Sequence, residues 1–161
     1  MSQTPVLAPV SGRAVALADV PDPVFSAGMV GYGAAVDPPR GVVDAVAPVS
    51  GKLLKLMPHA YVIMTADNVG VLVHLGLDTV ALEGAGFTTH VAQGDDVTAG
   101  QLITTYDVPA VVAKGLNPIV PVVVMDEREP ENVVASDAVR AGAEIGSGAL
   151  LFTASLSPRT T

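Results

Sequence analysis

Three histidines, at positions 59, 74 and 90, and no cysteine make up the chain's supply of side chains that ionise near neutral pH. His59 and His74 stand 15 residues apart, and the second opens the run His74-Leu75-Gly76-Leu77-Asp78-Thr79-Val80. Two imidazoles on adjoining strands can hold a metal ion. Alternatively, one can carry a phosphoryl group as a covalent nucleophile while the other steadies it. Neutral imidazole suits the second task, because it keeps a free lone pair on one ring nitrogen at pH 7. A second ring N–H can donate to phosphoryl oxygens, backbone N–H groups near Gly76 would add donors, and an apolar rim would exclude water. A lone histidine in an apolar strand is more often a satisfied core residue, so the surrounding elements must decide. His90, in Thr88-Thr89-His90, reads as a surface histidine with no role.

Half of the 161 residues are hydrophobic but only 4% are aromatic, so the core must be built from Val, Leu, Ala and Ile. That composition, with 16 Gly and 13 Pro, favours short strands joined by many turns. Strands are expected at 6–8, 13–17, 42–46, 52–57, 60–66, 70–75, 101–106, 119–125 and 149–154. Helix is expected only in short pieces such as 108–114, after an Asp107 cap and Pro109. Ala8-Pro9-Val10-Ser11-Gly12-Arg13 recurs as Ala47-Pro48-Val49-Ser50-Gly51-Lys52, a Pro/Ser/Gly turn leading twice into an apolar strand. Gly94 to Leu102 and, more loosely, Ala138 to Ile145 look like hairpin turns with glycine at positive φ. Nothing reads as an interdomain linker, and Ser155 to Thr161 look frayed. The expectation is one all-β domain over 1–161, with its core at about 6–152, an internally duplicated motif and few short helices.

Strand parity places the histidines. Val71, Val73 and Leu75 share one face, and Leu72 and His74 the other. The first set makes a core face, which turns His74 toward a shallow apolar surface. Around His59 both faces are apolar, as in a strand covered on both sides, and His59 falls near its open end after Pro58.

Sixteen acidic residues against eight basic leave a net charge of -8. This argues against nucleic acid and against anionic lipid, both of which reward a basic footprint. A basic protein partner is compatible, although acidity also serves solubility alone. The N-terminus lacks a basic segment followed by an apolar one, and uncharged runs such as 56–66 are too short to span a bilayer, so the expected location is the cytoplasm without direct membrane insertion.

Taken in order, the motifs are the APVSG turn at 8–12, Asp19-Val20-Pro21-Asp22-Pro23-Val24-Phe25, Met29-Val30-Gly31-Tyr32-Gly33, the second APVSG, His59-Ala60-Tyr61, the His74 run, and Glu83-Gly84-Ala85-Gly86-Phe87. Together they resemble the glucose-type IIA domain, a phosphocarrier of the bacterial phosphoenolpyruvate-dependent sugar phosphotransferase system. The resemblance implies a compact antiparallel β-sandwich. It implies that His74 accepts a phosphoryl group from the histidine-containing phosphocarrier protein and passes it to a cysteine on a IIB domain of a sugar permease. His59 would support the phosphoryl group. Asp22 and Asp78 would face arginines of the donor, and Val24, Phe25, Met29, Val30 and Leu72 would form the apolar rim. No cofactor or catalytic metal is required, though a zinc ion shared by His59, His74 and a partner's carboxylate is chemically accessible as an accessory feature. Regulatory targets that bind the unphosphorylated form are a further implied class of partner.

Two positions depart from the family pattern. Met57 stands where many members place a threonine whose hydroxyl joins the site, so the histidine tautomer must be supported from elsewhere. Tyr32 replaces an acidic residue between two glycines. Locally, Asp78 could equally cap a turn through Thr79, Asp22 could serve a Pro-Asp-Pro turn, and the rim residues could simply be core.

Rival readings fare worse. His74 and Asp78 have the His-x-x-x-Asp spacing of lysostaphin-like zinc peptidases, but no His-x-His pair accompanies them. A biotinyl or lipoyl carrier needs a lysine in a Met-Lys-Met or Asp-Lys context, which Lys52, Lys55 and Lys114 lack. A non-catalytic regulatory binding module would leave both histidines inert.

Overall fold

The computed structural model describes residues 2–125 and 127–156, and three antiparallel sheets dominate it. In chain order the strands are β1 (Ser2–Leu7), β2 (Gly12–Ala16), β3 (Gly31–Asp37), β4 (Val42–Val46), β5 (Gly51–Met57), β6 (Ala60–Met64) and β7 (Gly70–His74). Then come β8 (Phe87–Thr89), β9 (Asp96–Val97), β10 (Leu102–Asp107), β11 (Val120–Met125), β12 (Val133–Ala135), β13 (Glu144–Ile145) and β14 (Leu150–Leu156). Three short helices interrupt them: α1 (Pro23–Ser26), α2 (Val108–Ala113) and α3 (Asp137–Ala141).

The principal sheet has eight strands in the order β13-β2-β3-β11-β7-β6-β5-β9. Two three-stranded sheets, β1-β14-β12 and β4-β10-β8, complete the structure. The period-two alternation of the central strands sorts their side chains onto two faces. Tyr61, Ile63, Val71, Val73, Leu75, Val122 and Val124 join the main core with Phe152, Leu151, Ile103 and Tyr106. Ala60, Val62, Leu72 and Val123 face the other way, into a smaller cluster closed by Leu17, Val20, Phe25, Leu77 and Ile119.

The repeated turns bind each other. The Leu7 amide donates to the Pro48 carbonyl at 2.9 Å, and the Val46 amide donates to that of Pro9 at 2.8 Å. Ser11 Oγ accepts from the Ser147 amide at 2.9 Å, and Ser50 Oγ accepts from that of Ala99 at 2.8 Å. Each turn then delivers its strand to the same kind of two-residue partner, β2 to β13 and β5 to β9. Asp107 caps α2 as anticipated, its carboxylate accepting from the Ala110 amide at 3.2 Å.

Several expectations need correction. β3, β8, β9, β12 and β13 were not anticipated. β3 is rich in Gly and Ala, which carry little strand propensity, yet it pairs on both sides, with β2 and β11. A Cβ on Gly31 or Gly33 would lie 1.8 or 1.9 Å from the carbonyl oxygens of Val124 or Val122. That close backbone approach, rather than propensity, explains glycine there. Neither segment expected as a hairpin turn is one: 94–102 links β9, which pairs with β5, to β10, which pairs with β4 and β8, and 138–145 contains most of α3 and then β13, with Gly142 in the left-handed helix-ending position. β1 begins at Ser2, so the residues before position 6 pair with β14. Ser155 belongs to β14, and 157–161 lie outside the described residues.

Candidate histidine site

His74 ends β7, and Ala60 is its cross-strand neighbour on β6. His59 lies in the two-residue turn between β5 and β6, one position before the strand. Its carbonyl accepts from the Leu75 amide at 2.7 Å, so the backbone ties the two histidine segments together. The rings meet edge to face, with centroids 5.1 Å apart and planes at 68°. Phe25 also meets His74, its ring centroid 5.4 Å away and its plane tilted by 59°. Phe25 is held there by α1, which begins with Pro23 and is capped by Asp22, whose carboxylate accepts from the Val24 amide at 3.0 Å.

The most informative contact is between His74 Nδ1 and the Gly76 carbonyl oxygen, at 2.6 Å. A carbonyl only accepts, so in the neutral ring Nδ1 must carry the hydrogen and Nε2 the lone pair. Gly76 thus contributes its carbonyl to the His74 ring. The neighbouring amides are engaged elsewhere, Leu75 with His59 and Leu77 with the Asn117 carbonyl at 2.8 Å.

Burial holds both imidazoles below their ordinary pKa. For His74 burial is the main cause, opposed by the Gly76 carbonyl and by the charges of Asp22 and Asp78, which favour the cation. For His59 burial comes first, followed by repulsion from His74. Both rings are therefore neutral at pH 7.

The anticipated rim divides into parts. Phe25 and Leu72 are buried floor residues, and Val30 packs half-buried against the same small cluster. Val24 and Met29 stand 45% and 62% exposed, which packing alone does not reward. Asp22 caps α1, and its charge lies close enough to His74 to favour the imidazolium form. Asp78 is exposed, in a left-handed conformation at φ 60°, and makes no side-chain capping bond. The hydroxyl of Thr79 instead bonds the Leu75 carbonyl at 2.9 Å.

At the departures, Met57 is exposed and supplies no hydroxyl, and no described residue hydrogen-bonds the His59 ring. Tyr32 packs half-buried against the small cluster. One neighbour had no sequence signal: Arg128, 99 residues away, donates to the Met29 carbonyl at 3.3 Å and brings a cation to the rim. His90 lies beyond β8, exposed, with Nε2 2.7 Å from Thr105 Oγ1. Among the described residues no group of three or more His, Cys, Asp or Glu is arranged to hold a metal ion. The two imidazoles alone fall short of zinc's four ligands, so a partner would have to complete such a site. No helix among the described residues is long and apolar enough to cross a membrane.

Residues 4–129 match the family described as phosphoenolpyruvate-dependent sugar phosphotransferase system, EIIA 1. The chain is 39% identical over 137 residues to the PTS system glucose-specific EIIA component of Oceanobacillus iheyensis, a match covering 82% of each chain. It is 50% identical over 106 residues to the PTS system glucose-specific EIICBA component of Streptococcus pneumoniae, covering 65% of this chain and 14% of that longer one. The fold superposes on glucose permease IIA from Mycoplasma capricolum with a TM-score of 0.83 and 34% identity, over 95% of this chain and 96% of that one.

Proposed function

The chain belongs to the EIIA 1 family of the phosphoenolpyruvate-dependent sugar phosphotransferase system, a phosphotransferase component of the glucose type, and from that premise we propose that His74 is its phosphoryl-carrying residue. The observation that carries this reading is the 2.6 Å contact from His74 Nδ1 to the Gly76 carbonyl. With the hydrogen on Nδ1, Nε2 keeps the lone pair that a nucleophile needs, which supports this reading.

In the loading step the Nε2 lone pair attacks phosphorus on the phosphohistidine of the histidine-containing phosphocarrier protein. A new N–P bond forms, the donor's N–P bond breaks, and its electron pair returns to the donor ring. Throughout, the Nδ1–H stays on the Gly76 carbonyl and disperses the positive charge that develops on the ring. His59, in edge-to-face contact with His74, donates a ring N–H to a phosphoryl oxygen. In the unloading step a thiolate of a IIB-domain cysteine attacks phosphorus, and the Nε2–P electron pair returns to His74. The transition state is loose and in line, so catalysis is positioning and charge stabilisation. Burial supplies neutral imidazole, and the floor of Phe25 and Leu72 limits water.

Asp22 and Asp78 place negative charge where a basic donor would dock, while Val24, Met29 and Val30 give it apolar contact. The phosphocarrier unit is a single domain over 1–161, its described part running from β1 at Ser2 to β14 at Leu156, and it works in the cytoplasm without cofactor. The test is intact-mass analysis after incubation with phosphoenolpyruvate, the general phosphotransferase enzyme and the phosphocarrier protein. A single acid-labile, base-stable adduct mapping to His74 is expected. Full labelling of His74→Ala would overturn the assignment.

A further inference from the structure

The Gly76 carbonyl can select one tautomer of His74 only if its own peptide is held still. Three groups surround it. Gly76 has φ +88°, and a Cβ there would lie 2.6 Å from Thr79 Cγ2, 3.0 Å from the Tyr106 hydroxyl and 3.3 Å from the Asn117 carbonyl oxygen. The glycine α-carbon is therefore seated in a cradle with no spare room.

Each wall of that cradle is fixed. Tyr106 is fully buried and its hydroxyl donates to the Pro118 carbonyl at 2.9 Å. Asn117 accepts the Leu77 amide through its carbonyl, and its side-chain oxygen accepts the Ile119 amide at 3.0 Å. Thr79 has 0% exposure, and it holds the loop in two ways. Its hydroxyl donates to the Leu75 carbonyl at 2.9 Å, and its methyl packs against Gly76. The Leu75–Gly76 peptide is pinned by Thr79 through its carbonyl, the Gly76–Leu77 peptide by Asn117 through its N–H, and the preceding His74–Leu75 peptide by His59.

We infer that Thr79 is a positioning residue for His74, bracing the Leu75–Leu77 loop so that the Gly76 carbonyl holds the ring in its Nδ1–H form. Thr79 touches neither the ring nor the phosphoryl group. It acts through backbone, and removing its hydroxyl leaves the buried Leu75 carbonyl without that partner, so the peptide rotates to find another. The inference rests on His74 being the working nucleophile, but its readout does not.

The test is nitrogen-15 NMR of the His74 ring in the full chain at a pH where it is neutral. The parent is expected to show one tautomer, with the lone pair on Nε2. Thr79→Val keeps the shape and loses the hydroxyl, and is expected to show both tautomers in exchange. Thr79→Ser keeps the hydroxyl and is expected to restore the single tautomer. Phosphoryl acceptance by Thr79→Val should slow on the order of 10-fold, short of the roughly 100-fold that a full ångström of misplacement costs. Should Thr79→Val not fold, Thr79→Ala, which opens room beside Gly76, must give the same mixture. A single parental tautomer in either folded valine or alanine variant would overturn the inference. Labelling of His74→Ala tests the carrier reading separately, because the ring tautomer is read without any phosphoryl donor.

Discussion

The two faces of the eight-stranded sheet are made from alternate residues of the same strands, yet they do different work. The inner face, with Tyr61, Ile63, Val71 and Val73, meets aliphatic and aromatic side chains from both smaller sheets and is closed everywhere. The outer face, with Ala60, Val62, Leu72 and Val123, is covered by little more than Leu17, Val20 and Phe25 from one excursion of chain, with Leu77 and Ile119 at its margin. Its cover ends beside His74. A sheet face half covered leaves polar rings dry enough to stay neutral and open enough to meet a second protein. A fully covered face could do neither.

The comparison is sharpest if chemistry can be removed without touching the fold. His74→Ala deletes a half-buried side chain on the outer face, and complete loss of phosphoryl acceptance is expected, with urea unfolding little changed. The converse is Ile63→Ala on the inner face, which should cost about 2–5 kcal/mol in urea unfolding. Its remaining folded molecules should still accept phosphate, as intact mass would show; a folded Ile63→Ala that cannot be loaded would break the division between faces.

Between these lies His59→Gln. Glutamine can donate one hydrogen bond but cannot reproduce imidazole's protonation behaviour. The variant should still be loaded, but should pass phosphate onward about 100-fold more slowly, in line with the loss of one preorganised donor. Normal onward transfer in a stopped assay with a IIB domain would remove His59 from the mechanism.

The smallest effects concern pH. Both histidines titrate below their ordinary value in the folded chain. The unfolded chain takes up protons below about pH 6.5 while the folded rings stay neutral, so stability is fully present above that pH and falls as pH drops toward the folded values. Loading should likewise persist below pH 6.5 and fail only as the folded rings protonate. Asp22→Asn removes a charge that favours the His74 cation, so the acid limb of its loading profile should move lower still. Asparagine still caps α1, which keeps the comparison free of a folding effect. A limb that moves upward would contradict the role given to Asp22.

The alternation of Val71, Val73 and Leu75 against Leu72 and His74 was legible because strand geometry has a fixed period and hydrophobicity follows it. The paired APVSG turns were legible because Pro, Ser and Gly each impose local backbone chemistry. β3 was not, since Gly and Ala say little about strand formation; its pairing was decided by how closely β11 approaches. Nor could residue types assign the Asp22 and Asp78 roles, because a carboxylate in a turn can cap a helix, project charge, or do both.

The residue types and their order determined the all-β class, the duplicated turns, the face on which His74 lies and the family resemblance. All of these follow from short-range rules that act along a few residues of chain. Only the tertiary structure decided that the Gly76 carbonyl meets His74 Nδ1, that Thr79 and Tyr106 wall in that glycine, and that Arg128 reaches Met29. Those contacts depend on the direction a peptide faces and on segments far apart in sequence, and both are set only when the sheets close around their cores.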